Sequence, residues 1–369
     1  MQWGTFSLSQ IPDQSRRVQA FEEDMKFFEL AENLGYDTIW IAEHLFSTYG
    51  VVTSTQVYAA AIAERVKRIG IGMAVVVLPF NHPLRTASDF ALVDILSHGR
   101  LKFGVGRAYQ PHEFQGLGVP MEQSREMYQE ALDIILKAWT QEKISYDGKF
   151  WKIPEPVEVL PKPIQRPYPR LYQACVSPDS FDTAAANGAS LQMAAPFSYR
   201  TYRENWIEEL AKLVQRYERA CEKAGRDPKA AERMFLIPFY TEADGDKAKA
   251  RFAKHVEWFY AKVTQNQLQM KGDPGLIRGY EQVMLEGKKT REMGYLSFDK
   301  LHQYGACIAA SPARAAEQLN HLREKLGITE FVLWSNIGGL EATAVDDCMR
   351  RTMAEVAPQV GKAKARAAE

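Results

Sequence analysis

Cysteine is scarce in this chain: Cys175, Cys221, Cys307 and Cys348 are the only four in 369 residues. They lie far apart without a CxxC spacing, which argues against a structural zinc site and against a disulfide framework. Reduced, buried thiols of a cytoplasmic protein are the simpler expectation. Net charge is also missing, since 46 basic residues balance 46 acidic ones. A general electrostatic binder of nucleic acid usually carries a basic excess, so that class is disfavoured. No apolar run approaches the roughly 20 residues a membrane helix needs. The longest candidate, residues 69–80, is only strand-length. The first residues, MQWGTFS, show no basic region followed by an apolar one, so no signal peptide is expected. His98, His112, His255, His302 and His321 show no metal-ligand spacing and HxxxH is absent, so no metal is expected. No GxGxxG follows the first strand, which weakens a Rossmann reading.

What is present is a repeating alternation. Hydrophobic residues make up 46% of the chain, enough for a large core. Strand patterns at 2–8, 36–42, 69–78, 101–105, 171–176, 189–193, 234–241 and 330–334 alternate with helical patterns. The third is almost continuously apolar and β-branched, as expected of a strand covered on both faces. Helices are expected at 21–34, 56–66, 84–96, 122–139, 179–187, 202–224, 244–263, 312–326 and 343–360. Residues 144–153, with Asp147-Gly148 at the turn, read as a small projecting hairpin. Eight strands with crossover helices favour a (β/α)8 TIM barrel with insertions, in one domain over residues 1–360. Residues 264–303 break the rhythm with several glycines and are expected to form a long lid loop. The Ala-, Lys- and Arg-rich tail at 361–369 is expected to be disordered.

In such a barrel, chemistry sits at the C-terminal strand ends. Glu43 and His44 end the second strand, and a carboxylate beside an imidazole suits acid–base work near neutral pH. A histidine that merely closes a strand is the competing reading. Gly104, Gly106 and Arg107 end the fourth strand. Glycines admit a close ligand and arginine forks onto phosphate, although a plain turn would use the same residues. Ser177 and Ser180 open a helix after the fifth strand, where hydroxyls and free N–H groups favour an anion or simply cap the helix. His82, before Pro83, is either a substrate contact or a helix-entry residue. Phe6, Tyr109 and Met193 are expected to line an apolar substrate pocket, with core packing as the alternative.

Six segments in order resemble the bacterial luciferase-like flavin-dependent monooxygenases. They are 35–44 (GYDTIWIAEH), 77–85 (VLPFNHPLR), 94–107 (DILSHGRLKFGVGR), 146–150 (YDGKF), 177–188 (SPDSFDTAAANG) and 327–334 (GITEFVLW). The resemblance implies a barrel that binds reduced FMN, with the phosphate held by Arg107, Ser177 and Ser180. Tyr109, Gly106 and Val176 would border the same flavin. A cis peptide bond at Ala74-Val75, packed against the flavin ring, is implied as well. His44 would support an oxygen adduct, the flavin C4a-(hydro)peroxide, formed from molecular oxygen. A separate NAD(P)H:flavin reductase, a small organic substrate and a homodimer follow from the same resemblance. Luciferase has a cysteine where this chain has Gly106, and a glutamate where it has Val176, so light emission is not implied. An F420-dependent oxidoreductase of the same superfamily and a non-catalytic flavin-binding protein are the alternatives. Hydroxylation, Baeyer–Villiger insertion and C–S or C–N cleavage all stay open.

Overall fold

The computed structural model describes residues 1–268 and 281–361. Eight parallel strands close on themselves: β1 (Gln2–Ser7), β2 (Thr38–Ile41), β3 (Gly70–Met73), β5 (Leu101–Gly106), β8 (Leu171–Ala174), β9 (Ser190–Ala194), β10 (Arg233–Thr241) and β12 (Glu330–Trp334). Closure comes from the pairing of β12 with β1, Gln2 standing opposite Glu330 and Thr5 opposite Leu333. The expected (β/α)8 barrel is therefore present. Every residue of β10 and of β12 is buried. Strands covered on both faces read as continuous apolar runs, which is why pattern alone located them.

The helices begin and end on local signals. Proline occupies the first turn of α3 (Pro83–Leu96), α6 (Pro178–Asn187) and α12 (Pro312–Leu326), where its missing N–H costs nothing. Helix α1 (Arg17–Leu34) stops at Gly35, whose φ of 84° is left-handed. The remaining outer helices are α2 (Thr55–Arg65), α5 (Ser124–Thr140), α8 (Trp206–Lys223), α9 (Gly245–Leu268) and α13 (Ala342–Arg351). No described helix is long and apolar enough to cross a membrane.

Three expectations need correction. The third strand is not continuous: β3 ends at Met73, a cis Ala74–Val75 bond follows, and β4 (Val76–Val77) resumes against β5. The Met73 carbonyl leaves the ladder there and accepts from Gln192 Nε2 at 2.7 Å. Any side chain on Gly104 would lie 1.9 Å from that carbonyl, so the detour requires glycine. The helix expected at 202–224 is α8, which starts only at Trp206; a separate helix, α7 (Ala195–Tyr202), precedes it, with a break at Arg203, φ 50°. The loop expected at 264–303 is mostly helical where it is described, through the end of α9, α10 (Glu281–Glu292) and α11 (Phe298–Gln303), with a turn at 293–297 between the last two. Residues 269–280 of that stretch and residues 362–369 of the expected tail lie outside the described residues. A short strand, β11 (Ile308–Ala310), follows and pairs with the C-terminal half of β10. Strands β6 (Ile144–Asp147) and β7 (Lys152–Val157) form the expected antiparallel hairpin.

The N-terminal end of the barrel is plugged by charge. Lys102 Nζ lies 3.0 Å from Glu330 and 3.4 Å from Glu232, and Trp40 Nε1 donates to Glu330 at 2.8 Å. The other end is open.

Candidate active site

The C-terminal strand ends and the segments after them enclose a cavity of about 470 Å³. This is within the usual range for a small-molecule or cofactor site. Its polar groups sort into two clusters. One lies after β5 and β8, where Arg107, Ser177 and Ser180 line the wall with Arg125 of α5 and Asp179. Arg125 Nη1 meets Asp179 Oδ2 at 2.7 Å. The opening turn of α6 adds the positive end of its dipole. The Ser180 hydroxyl is turned inward: it accepts the Val176 and Ser177 N–H groups at 2.9 and 3.0 Å and donates to Ser177 O at 2.6 Å. Ser180 thus braces the turn in the way a helix cap does, and Arg107, Arg125 and Ser177 line the cavity beside it.

The second cluster follows β2. His44 is 9% exposed and lines the cavity. Its Nδ1 lies 2.8 Å from Glu113 Oε1 and 2.9 Å from the Tyr49 hydroxyl. Glu113 comes from α4 (Pro111–Leu117) and is almost wholly buried. Its Oε1 also accepts the Leu45 N–H at 3.0 Å. Tyr109 stands edge-on to His44, ring centroids 5.9 Å apart, and edge-on to Phe197 at 4.8 Å. Burial pushes its hydroxyl up to about 12.

The expected Glu43-His44 acid–base pair does not form as a pair. Glu43 turns toward the strand-three corner, where its Oε2 accepts the Val77 N–H at 2.9 Å. Its own N–H donates to Val75 O at 3.3 Å. Burial raises the Glu43 carboxyl to about 7, and the nearby Glu113 pushes the same way, while the Val77 and Asn81 donors oppose both. Glu43 therefore braces the cis corner, and Glu113 is the carboxylate that meets the imidazole.

Ala74, Val75, Gly106 and Val176 all border the cavity. A Cβ on Gly106 would come 2.7 Å from Val75 Cγ2, so the glycine is what lets the cis segment sit against β5. The remaining wall, from β1, β9, β10, β12 and α9, is apolar: Phe6, Met193, Leu236, Phe259 and Trp334. Phe6 and Phe259 stand edge-on to Trp334 at 5.2 and 4.6 Å. Phe6, Tyr109 and Met193 are thus where the sequence placed them. His82 is not: it is exposed, precedes the first turn of α3, and takes no part in the cavity wall. Sequence reasoning missed Glu113, Tyr49 and Arg125. Pro111 opens α4, a start signal that was available, but no spacing ties Glu113 to a histidine 69 positions earlier. Among the described residues no His, Cys, Asp and Glu cluster could hold a metal.

The family model described as luciferase-like monooxygenase matches residues 1–330. The chain belongs to that family. Among its relatives, the oxygenase component of a flavin-dependent trigonelline monooxygenase from Acinetobacter baylyi is 28% identical over 255 residues, which span 69% of this chain and 68% of that one. The monooxygenase RslO1 from Streptomyces bottropensis superposes with a TM-score of 0.80 at 24% identity, covering 97% of this chain and 99% of that one. The oxygenating constituent of 3,6-diketocamphane monooxygenase from Pseudomonas putida, solved with FMN, gives 0.77 at 19% identity and 98% of each chain. Family-like folds also serve F420: a secondary alcohol dehydrogenase solved with an F420–acetone adduct gives 0.72 at 19% identity over 98% and 99% of the two chains.

Proposed function

We propose that this protein is the oxygenase of a two-component system, using reduced FMN and molecular oxygen to oxygenate a small organic substrate. The observation that carries the reading is the division of one cavity into an end lined by Arg107 and Arg125 and an end lined by His44, joined by the Ala74–Val75 corner. The residues suit a phosphate-bearing flavin. Arg107 and Arg125 supply cations for the phosphate with the α6 N-terminus behind it. Backbone at Ala74, Val75 and Gly106 provides a flat wall without bulky side chains. Reduced FMN, when bound, supplies the electrons that activate oxygen, with one oxygen atom passing to the substrate and the other to water. The chain's own work is to bind, orient and dry that chemistry. His44 exchanges a proton with the reacting oxygen through the ring nitrogen not engaged by Glu113. Phe6, Met193, Phe259 and Trp334 hold the organic substrate and keep water out.

The rest of the assembly follows from the same reading. The chain shows no dinucleotide fingerprint after its first strand, and a separate NAD(P)H:flavin reductase would deliver the flavin. Val57 on α2 and Leu92 and Leu96 on the adjoining α3 are exposed apolar side chains suited to a homodimer contact. Residues 1–360 would act as one domain, with the α9–α10 region covering the cavity. Titration with FMN and with F420, followed by turnover under ¹⁸O₂ with a flavin reductase, tests the proposal. FMN binding and one labelled oxygen per product are expected. Exclusive binding of F420, or FMN binding that never yields labelled product, would refute it.

A further inference from the structure

His44 Nδ1 faces two partners of different kind: a carboxylate, which can only accept, and a phenol hydroxyl, which can donate to a bare ring nitrogen. Nδ1 lies 2.8 Å from Glu113 Oε1 and 2.9 Å from the Tyr49 hydroxyl. A neutral imidazole has one N–H and one bare nitrogen. If Nδ1 carries the proton it donates to Glu113, and Nε2 is a bare acceptor. If Nδ1 is bare it accepts the Tyr49 O–H, and Nε2 carries the proton instead. The backbone decides between them. Glu113 Oε1 already accepts the Leu45 N–H at 3.0 Å, so this oxygen is an acceptor and meets Nδ1 as one. A hydrogen bond to a carboxylate is about twice as strong as one between neutral groups. Tyr49 has another outlet, because its hydroxyl shares a hydrogen bond with Tyr109.

We propose that Glu113 is a positioning residue that fixes His44 with its proton on Nδ1, so that the nitrogen left for the cavity, Nε2, is a proton acceptor. Tyr49 is the competing partner that Glu113 overrides. The arrangement also prepares the ring for charge: when Nε2 takes a proton, the imidazolium forms beside a buried carboxylate, and both N–H groups become donors. No atom is gained or lost by the pair; the proton resides on Nε2 until it is returned. Phenol, carboxylate and ring are buried together, Tyr49 and Glu113 more completely than His44, so water does not relax the choice. The catalytic consequence rests on the oxygenase reading above, but the tautomer does not.

The test is ¹⁵N NMR of flavin-free protein labelled at histidine, with the His44 signals assigned by their loss in His44→Gln. In the wild-type protein Nδ1 is expected to be protonated and Nε2 bare. In Glu113→Leu the Tyr49 hydroxyl takes over and the pattern inverts, whereas Tyr49→Phe keeps the wild-type pattern. A wild-type ring protonated on Nε2, an unchanged pattern in Glu113→Leu, or an inverted one in Tyr49→Phe overturns the assignment. The wild-type and Tyr49→Phe spectra decide the matter even where Glu113→Leu does not fold. Turnover with FMNH2 and oxygen is the second arm: inversion should lower kcat by about 10²–10⁴-fold, the range general acid–base catalysis supplies. Inversion with undiminished turnover would leave the positioning role standing and refute the oxygenase role of His44.

Discussion

The buried Glu43 makes stability depend on pH in a direction that can be worked out in advance. Burial lifts its carboxyl from the ordinary 4.5 to about 7 in the folded chain. The folded state therefore holds this proton more tightly than the unfolded state does. The resulting stabilisation is complete below about pH 4.5, declines as pH rises, and is gone above about pH 7. At 1.36 kcal/mol per pKa unit the difference is about 3 kcal/mol. Glu43→Gln isolates it, because the amide cannot ionise and its oxygen can still accept the Val77 N–H. Urea denaturation of both proteins at pH 5 and pH 8 gives the comparison, and all other titrating groups cancel in the difference. The wild-type protein should lose about 2.5 kcal/mol relative to the variant between those two conditions, pH 5 lying just inside the window. Parallel stability curves would show that Glu43 is ionised without penalty, and the assignment of a proton to that corner would be wrong.

Other residues give equally specific expectations. Arg107→Ala removes a cation from the phosphate end and should weaken FMN binding by about 10–100-fold, the value of one charge-assisted hydrogen bond; riboflavin, which has no phosphate, should bind both proteins alike in a fluorescence titration. Gly106→Cys places a Cβ 2.7 Å from Val75 Cγ2, so it should cost about 1–3 kcal/mol in urea denaturation and weaken flavin binding; an unperturbed variant would show that the corner can give way. Lys102→Met strands Glu330 in the barrel floor without its partner at 3.0 Å. A loss of about 3–5 kcal/mol is expected, with flavin affinity of the folded fraction unchanged.

How much of this was legible beforehand depended on whether the cause was local. Helix α12 and strand β12 fall where the sequence placed them. Proline opens α12, Gly327 at φ 62° ends it, and β12 is an unbroken apolar run. The break in the third strand had no such signal, since it depends on a carbonyl of Met73 meeting Gly104 and Gln192 from two other strands. A resemblance supplied it where pattern did not. The expectation of a loop there failed for a related reason: glycines in 264–303 suggested one, but Gly287 lies within α10 against the Arg200 guanidinium, where a side chain would crowd it. There glycine marks a close approach to another helix.

The site divides along the same line. Strand-end positions were found because a barrel dictates where they point, and so Phe6, His44, Arg107 and Met193 all reach one cavity. Pairing within the site was not dictated. Neighbours in sequence, Glu43 and His44, alternate across the chain and point apart, one to Val77 and one to Glu113. The general lesson of extended backbone applies, that adjacent side chains leave opposite faces. The chemistry at His44 is set by a glutamate from a helix after another strand, brought there by closure of the barrel. If that pairing is the one that matters, exchanging the roles should fail. The carboxylate already at Glu43 cannot stand in for the one lost in Glu113→Leu, whereas a carboxylate of any length that reaches Leu45 N–H and Nδ1 from position 113 can. Glu113→Asp, measured by the same His44 tautomer signal, therefore separates a requirement for the charge from a requirement for the reach. Retention of the Nδ1 proton assigns the effect to the carboxylate, and inversion assigns it to the length of the glutamate arm.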